Sequence, residues 1–155
     1  MHELILLRHA EAEPGKDGKD DRERKLTEHG KHEARAAGEW LASHGIKYDR
    51  ILCSPAERTK ETAALALGQV EPTYEPQIYD ATPGDLFDVI DQNKDAERVV
   101  LVGHNPGIEQ LVGFLVEGRS DECRGMPPGG MARLVFDGPV EPGKAKLETF
   151  WSPPN

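Results

Sequence analysis

Cysteine is scarce in this 155-residue chain, where Cys53 and Cys123 stand alone and far apart. Two separated thiols without a ligand pattern exclude a disulfide framework and a zinc site, and both are expected to be buried or free. Long hydrophobic runs are missing too. No apolar stretch approaches the roughly 18 residues that a membrane helix needs, so no membrane partner is expected. The amino end lacks a basic segment leading to an apolar run and a small-residue cleavage site, and a cytoplasmic location is expected. Positive charge is in deficit, with 19 Lys and Arg against 28 Asp and Glu and a net charge of -9. Nucleic-acid binding depends on cations that neutralise phosphates, and this balance opposes it. A small phosphate-bearing substrate is still allowed, provided that cations are concentrated locally. No carboxylate-rich motif ends a strand, which removes the means of holding a catalytic magnesium ion. No metal and no cofactor are therefore expected.

What is present is a chain long enough for one domain with a buried core. Leu4, Ile5, Leu6 and Leu7 form a continuous apolar run of the kind that a strand buried on both faces requires, and Arg8 and His9 follow where it leaves the sheet. The stretch 13–25 is glycine and charge with almost no apolar content and reads as a solvated, mobile loop. Thr27 is a candidate N-cap for a helix carrying Ala34, Ala37, Gly38 and Leu41, which should end near His44 and Gly45. Ile51, Leu52 and Cys53 predict a second strand. Ser54, Pro55 and Glu57 then predict a helix with serine as N-cap, proline at its first position and glutamate closing a capping box. That helix would run to Gly68 with Arg58 in its first turn, close to unpaired N–H groups and the positive end of the dipole. Taken alone, Arg58 reads as a surface arginine paired with Glu57 or Thr62.

A third strand is expected over 74–79, and Thr82, Pro83 and Asp85 repeat the capped-start pattern ahead of Leu86, Val89 and Ile90. The stretch 98–103 is another buried strand. Asn105 as N-cap and Pro106 at the first helical position then start a helix through Ile108, Leu111, Val112 and Leu115 to Gly118. After a polar loop over 119–130, residues 131–136 and 147–151 predict an antiparallel hairpin at a sheet edge. The fold class is α/β: a three-layer α/β/α sandwich on a mainly parallel mixed sheet with a C-terminal antiparallel edge hairpin.

Parallel strands bring Arg8-His9, Ser54 with Arg58, and His104-Asn105 to one edge of that sheet, where α/β proteins bind ligands. Two arginines and two histidines there point to phosphoryl transfer, because guanidinium forks match phosphate oxygens and histidine is a nucleophile at neutral pH. Four segments, Leu-Leu-Arg-His-Ala-Glu-Ala (6–12), Lys-Leu-Thr-Glu-His-Gly (25–30), Ser-Pro-Ala-Glu-Arg-Thr-Lys-Glu-Thr (54–62) and Val-Gly-His-Asn-Pro-Gly-Ile (102–108), resemble in order the motifs of the histidine phosphatase superfamily (phosphoglycerate mutase-like). More closely they are similar to its short SixA-type phosphohistidine phosphatases.

The resemblance implies one histidine phosphatase domain over 1–155 and a covalent phosphohistidine intermediate on His9. It implies that Arg8 and Arg58 clamp phosphate oxygens and that His104 donates to the same phosphoryl group. Arg24 matches the arginine of an Arg-x-Leu-Thr segment; it either approaches the phosphate or is one solvated charge in a charged loop. Ala10 stands where many relatives have glycine, and Pro128 where a threonine is common. Asp80 is the best-placed candidate for the general acid that larger relatives use on alcohol phosphates; otherwise it is a solvated residue after a strand. His2, His29, His32 and His44 read as terminal or helix-surface groups, and Trp40 and Trp151 as packing groups. The expected substrate is a phosphorylated protein, with protein phosphohistidine favoured, or a small phosphorylated molecule. A phosphomonoesterase on metabolites or sugar phosphates, or a non-catalytic phosphate- or phosphoprotein-binding module, remains open, as does the oligomeric state, with which a monomer is compatible.

Overall fold

The computed structural model describes residues 1–122 and 125–154. Cys123, and part of the expected 119–130 loop, lie outside that range. Six strands form one sheet: β1 (Glu3–Arg8), β2 (Arg50–Cys53), β3 (Pro72–Tyr74), β4 (Arg98–Gly103), β5 (Met131–Val135) and β6 (Lys146–Trp151). Their order is β3-β2-β4-β1-β5-β6, with β1, β2, β3 and β4 mutually parallel and β5 and β6 antiparallel at the edge.

Helices α1 (Glu28–Ser43), α2 (Glu57–Ala66), α3 (Pro83–Gln92) and α4 (Gly107–Glu117) cover both faces. Alternation along the strands decides which side chain meets which layer. Leu4 and Leu6 of β1, with Val99 and Leu101 of β4, pack against Leu86 and Ile90 of α3 and Ile108 and Leu111 of α4. Ile5 and Leu7, with Val100 and Val102, face Ala37 and Leu41 of α1 and Ala63 and Ala66 of α2. Each fully buried leucine or isoleucine contributes about 1.5–3 kcal/mol of transfer free energy, which is why the continuous runs must lie inside the sheet. Cys53 is buried, and burial pushes its thiol up to about 12. Among the described residues no helix is long and apolar enough to cross a membrane.

Two caps form as predicted. Thr27 Oγ1 accepts from Gly30 N–H, and Thr82 and Asp85 make a reciprocal capping box. Three expectations need correction. The third strand is Pro72–Tyr74, and Pro76–Ile78 is a 3-10 turn, because Pro76 cannot donate to a ladder. Helix α2 begins at Glu57 rather than at Pro55, and Ala56 occupies the N-cap with no side-chain bond. The Ser54 hydroxyl is engaged elsewhere. Helix α4 begins at Gly107 with Pro106 as N-cap, although Asn105 Oδ1 still accepts from Glu109 N–H. The 13–25 stretch is a largely exposed loop, as expected. It contains a 3-10 turn at Asp21–Glu23, and Ala12 pairs with Leu26 as an isolated bridge.

Candidate active site

Register brings the strand ends level. Arg8 of β1 lies opposite Gly103 of β4, and Cys53 of β2 lies opposite Val102, so that His9, Ser54 and His104 leave the sheet side by side. His9 N–H bonds to Gly103 O and Ser54 N–H to Val102 O, continuing the ladder for one more residue. The imidazole rings of His9 and His104 are 5.3 Å apart, centre to centre. Segment 126–130, which enters antiparallel β5 at this edge, holds the corner from the other side. Gly130 O accepts from Arg8 N–H, Gly129 N–H donates to His9 O, and Met126 O accepts from both Arg8 Nη1 (2.8 Å) and Asn105 Nδ2 (3.0 Å).

His9 Nδ1 lies 2.7 Å from Ala10 O. A carbonyl can only accept, so Nδ1 carries the proton and Nε2 keeps its lone pair. Burial, with a smaller push from the cations Arg58, Arg8 and Arg24, lowers the ring to about 4, so it is neutral at pH 7. Ala10 N–H in turn bonds to buried Thr62 Oγ1, whose own proton goes to Arg58 O. His104 is lowered to about 3, by burial first and then by Arg58.

Arg58 is not a surface residue. It is 5% exposed, because α2 starts beside the sheet edge and the 13–25 loop folds over it. Its fork grips Asp21: Nη1 donates to the backbone carbonyl at 2.8 Å and Nη2 to Oδ2 at 2.9 Å. Tyr79 OH donates to the same Oδ2 at 2.6 Å, and Arg24 Nε to Oδ1 at 2.8 Å. These donors, the Tyr79 hydroxyl foremost, hold the Asp21 carboxyl well below the usual range. Arg24 is thus attached to the site through Asp21, with a second bond to Glu13 O.

Asp21, Arg58, Tyr79, Asp80 and His104 line a cleft of about 90 Å3 together with residues 81 and 105–107. Asp80 has a left-handed backbone (φ 55) at its rim. The neighbouring turn sits close to α4 because Gly107 has no Cβ; one built there would come within 2.5 Å of Ala81 O. A wider cavity of about 550 Å3 is lined by parts of the 13–25 stretch and Glu57 and includes none of the strand-end side chains. Trp40 stacks between His44 and Trp151, a packing contact that takes no part in the cleft lining.

The structure therefore brings Arg8, His9, Arg58 and His104 together with Ser54, which was expected at this edge only as a helix cap, and adds residues that the sequence reading missed: Tyr79, Asp21 and the carbonyl of Met126. Asp21 and Tyr79 are polar residues in irregular segments, and nothing local in the sequence distinguishes them from solvated ones.

Two cations, a neutral histidine with an available Nε2 and a second neutral histidine thus meet at the carboxyl ends of the parallel strands of an α/β fold, the edge where such folds bind ligands. The chain belongs to the histidine phosphatase superfamily (branch 1), whose family model matches residues 4–86. It is 32% identical to an uncharacterized protein of Mycobacterium tuberculosis over 95% of this chain and 99% of that one. The phosphohistidine phosphatase SixA homolog of Haemophilus influenzae is 29% identical, over 87% of this chain and 88% of its own. A solved structure from Agrobacterium tumefaciens, provisionally named a phosphohistidine phosphatase SixA, superposes with a TM-score of 0.84 at 27% identity, covering 98% of both chains. The protein is accordingly a phosphatase-family chain with the mixed six-stranded sheet of its relatives.

Proposed function

We propose that this protein is a metal-independent phosphatase that works through a phosphohistidine on His9, with protein phosphohistidine as its substrate. One observation carries the reading. Among the described residues, the buried side-chain polar atoms without a hydrogen-bond partner are Arg8 Nε, Arg58 Nε and His104 Nδ1. Buried polar groups are nearly always paired, and these three belong to the side chains gathered around His9. A phosphoryl group offers three oxygens to such donors. Asp21 supports the same reading, since one oxygen of its carboxylate already accepts from Arg58 Nη2, as an oxygen of a bound anion would.

In the proposed reaction His9 Nε2 attacks phosphorus, and the bond to the leaving group breaks as the new P–N bond forms. Phosphohistidine protonated on its far nitrogen departs as neutral imidazole and needs no further acid. Water then attacks phosphorus, the P–N bond breaks, and inorganic phosphate and neutral His9 result. Arg8 and Arg58 neutralise the charge on the equatorial oxygens, the role that carboxylate-held cations play in metal-dependent phosphatases. The whole chain, 1–155, is read as one catalytic domain acting in the cytoplasm. Rapid quenching without acid followed by intact-mass measurement tests this: wild type should gain one phosphoryl group that His9→Ala lacks. Absence of that gain with phosphohistidine, phosphoramidate and aryl phosphate donors would instead favour a binding module.

Asp80 at the cleft rim favours a second reading, a phosphomonoesterase on small alcohol phosphates. An alkoxide leaves poorly without a proton. If Asp80→Asn sharply reduces turnover of alkyl phosphates and wild type ignores phosphohistidine, the second reading replaces the first.

A further inference from the structure

Ser54 was expected to cap α2, yet its hydroxyl lies 2.8 Å from His104 Nε2. It is fully buried. The rest of the residue is fixed around that contact: its N–H bonds to Val102 O, and its carbonyl accepts from Thr59 Oγ1 at 2.8 Å and from Cys53 Sγ. Among the described residues the hydroxyl oxygen has one other partner, the N–H of Ala56 at 3.3 Å, which can only donate. With Ala56 occupying a lone pair, the acceptor on hand for the Ser54 proton is His104 Nε2. If Nε2 carried a proton instead, both neighbours would donate to Oγ, and a buried hydroxyl proton would have no acceptor.

We infer that Ser54 is a positioning residue: it donates to His104 Nε2, holds that ring in its Nδ1–H tautomer and so turns a donor toward the phosphoryl group on His9. The inference deepens the proposed phosphatase reading and rests on it for its catalytic consequence. Three further observations agree with it. His104 Nδ1 is buried without a partner among the described residues, as a donor reserved for a substrate oxygen should be. The rings of the two histidines are 5.3 Å apart, within reach of one phosphoryl group. Burial and Arg58 keep the ring neutral, so its tautomer decides which nitrogen donates. The Ala56 N–H acts on Oγ in the same sense, since accepting one hydrogen bond strengthens the donation of the next. The two histidines are thus set oppositely on purposeful contacts: Ala10 O makes His9 Nε2 a lone-pair nucleophile, and Ser54 makes His104 Nδ1 a donor.

The test is a long-range 15N–1H spectrum of the full chain labelled at histidine, with the His104 signals identified by their loss in His104→Gln. In wild type at pH 7, Nδ1 should resonate as a protonated, pyrrole-like nitrogen and Nε2 as an unprotonated, pyridine-like one. The reverse pattern overturns the assignment in wild type alone, whatever any variant does. In Ser54→Ala the His104 signals should shift toward the Nε2–H tautomer, and kcat should fall on the order of tenfold to a hundredfold, the range for removing a bond that orients a functional histidine. Ser54→Thr, which keeps the hydroxyl, should restore the wild-type spectrum and most of kcat. A folded Ser54→Ala that retains the wild-type tautomer and rate overturns the proposal. Failure of the underlying function is distinguishable: wild type would then show the expected tautomer but neither phosphorylate His9 nor turn over any phosphate donor.

Discussion

Asp21→Asn should make the protein bind inorganic phosphate more tightly. The Asp21 carboxylate holds Arg58 Nη2, a donor that a phosphoryl group bound as proposed would use beside Nε, with bonds of 2.9 Å from Arg58 Nη2 and 2.6 Å from Tyr79 OH. On that reading an entering anion competes with it. A hydrogen bond to a charged group contributes about 1.5–3 kcal/mol when buried. The Asp21 side chain is 49% exposed while that of Arg58 is 6% exposed, and water offsets much of what the carboxylate loses on leaving. A net competition of about 1–1.5 kcal/mol remains after that screening. Asparagine retains the backbone carbonyl bond to Arg58 Nη1 and removes the charge. At about 1.4 kcal/mol per tenfold, the dissociation constant for phosphate should fall roughly 5- to 12-fold. Isothermal titration at pH 7 and fixed ionic strength measures it, with Asp20→Asn as control because that carboxylate bonds to Arg22. Phosphate affinity that is unchanged or weaker in Asp21→Asn refutes the reasoning and makes Asp21 an aligner of Arg58 instead of its competitor.

Three further outcomes follow from the structure. An NMR titration should find His9 neutral from pH 8 down to pH 5, with its midpoint near 4; a midpoint near the ordinary 6.5 would show that burial does not control this ring. Because unfolded His9 takes up a proton near 6.5 and the folded ring refuses it until about 4, the unfolded state binds more protons in that window. Stability should therefore be lost as pH falls from about 6.5 through 4, read from urea midpoints. Gly30→Ala should destabilise the fold by about 1–3 kcal/mol through overpacking. A Cβ there meets Glu11 O at 2.0 Å, in backbone two residues from His9. A urea midpoint equal to wild type would show that the 9–12 turn yields freely.

Much of this arrangement was legible in the sequence. Continuous apolar runs at 4–7 and 99–102 could only be strands covered on both faces, and the polar residues that ended them had to fall at one sheet edge. Thr27 and Thr82 announced their helices because capping is a contact over three residues. Arg8, His9 and His104 were visible for the same local reason. The misplaced start of α2 has a physical counterpart: a serine followed by proline reads as a cap, yet the Ser54 hydroxyl meets His104, 50 positions away.

What the sequence by itself determined, then, was the alternation of strands and helices and the residues standing at their ends, since periodicity and capping act over a few residues. Tertiary structure alone decided the partners: Asp21 in the Arg58 fork across 37 positions, Met126 O on Arg8 across 118, and Ser54 beneath His104. A donor specifies the kind of acceptor it needs but not which one, and that choice belongs to the path of the chain through the sheet.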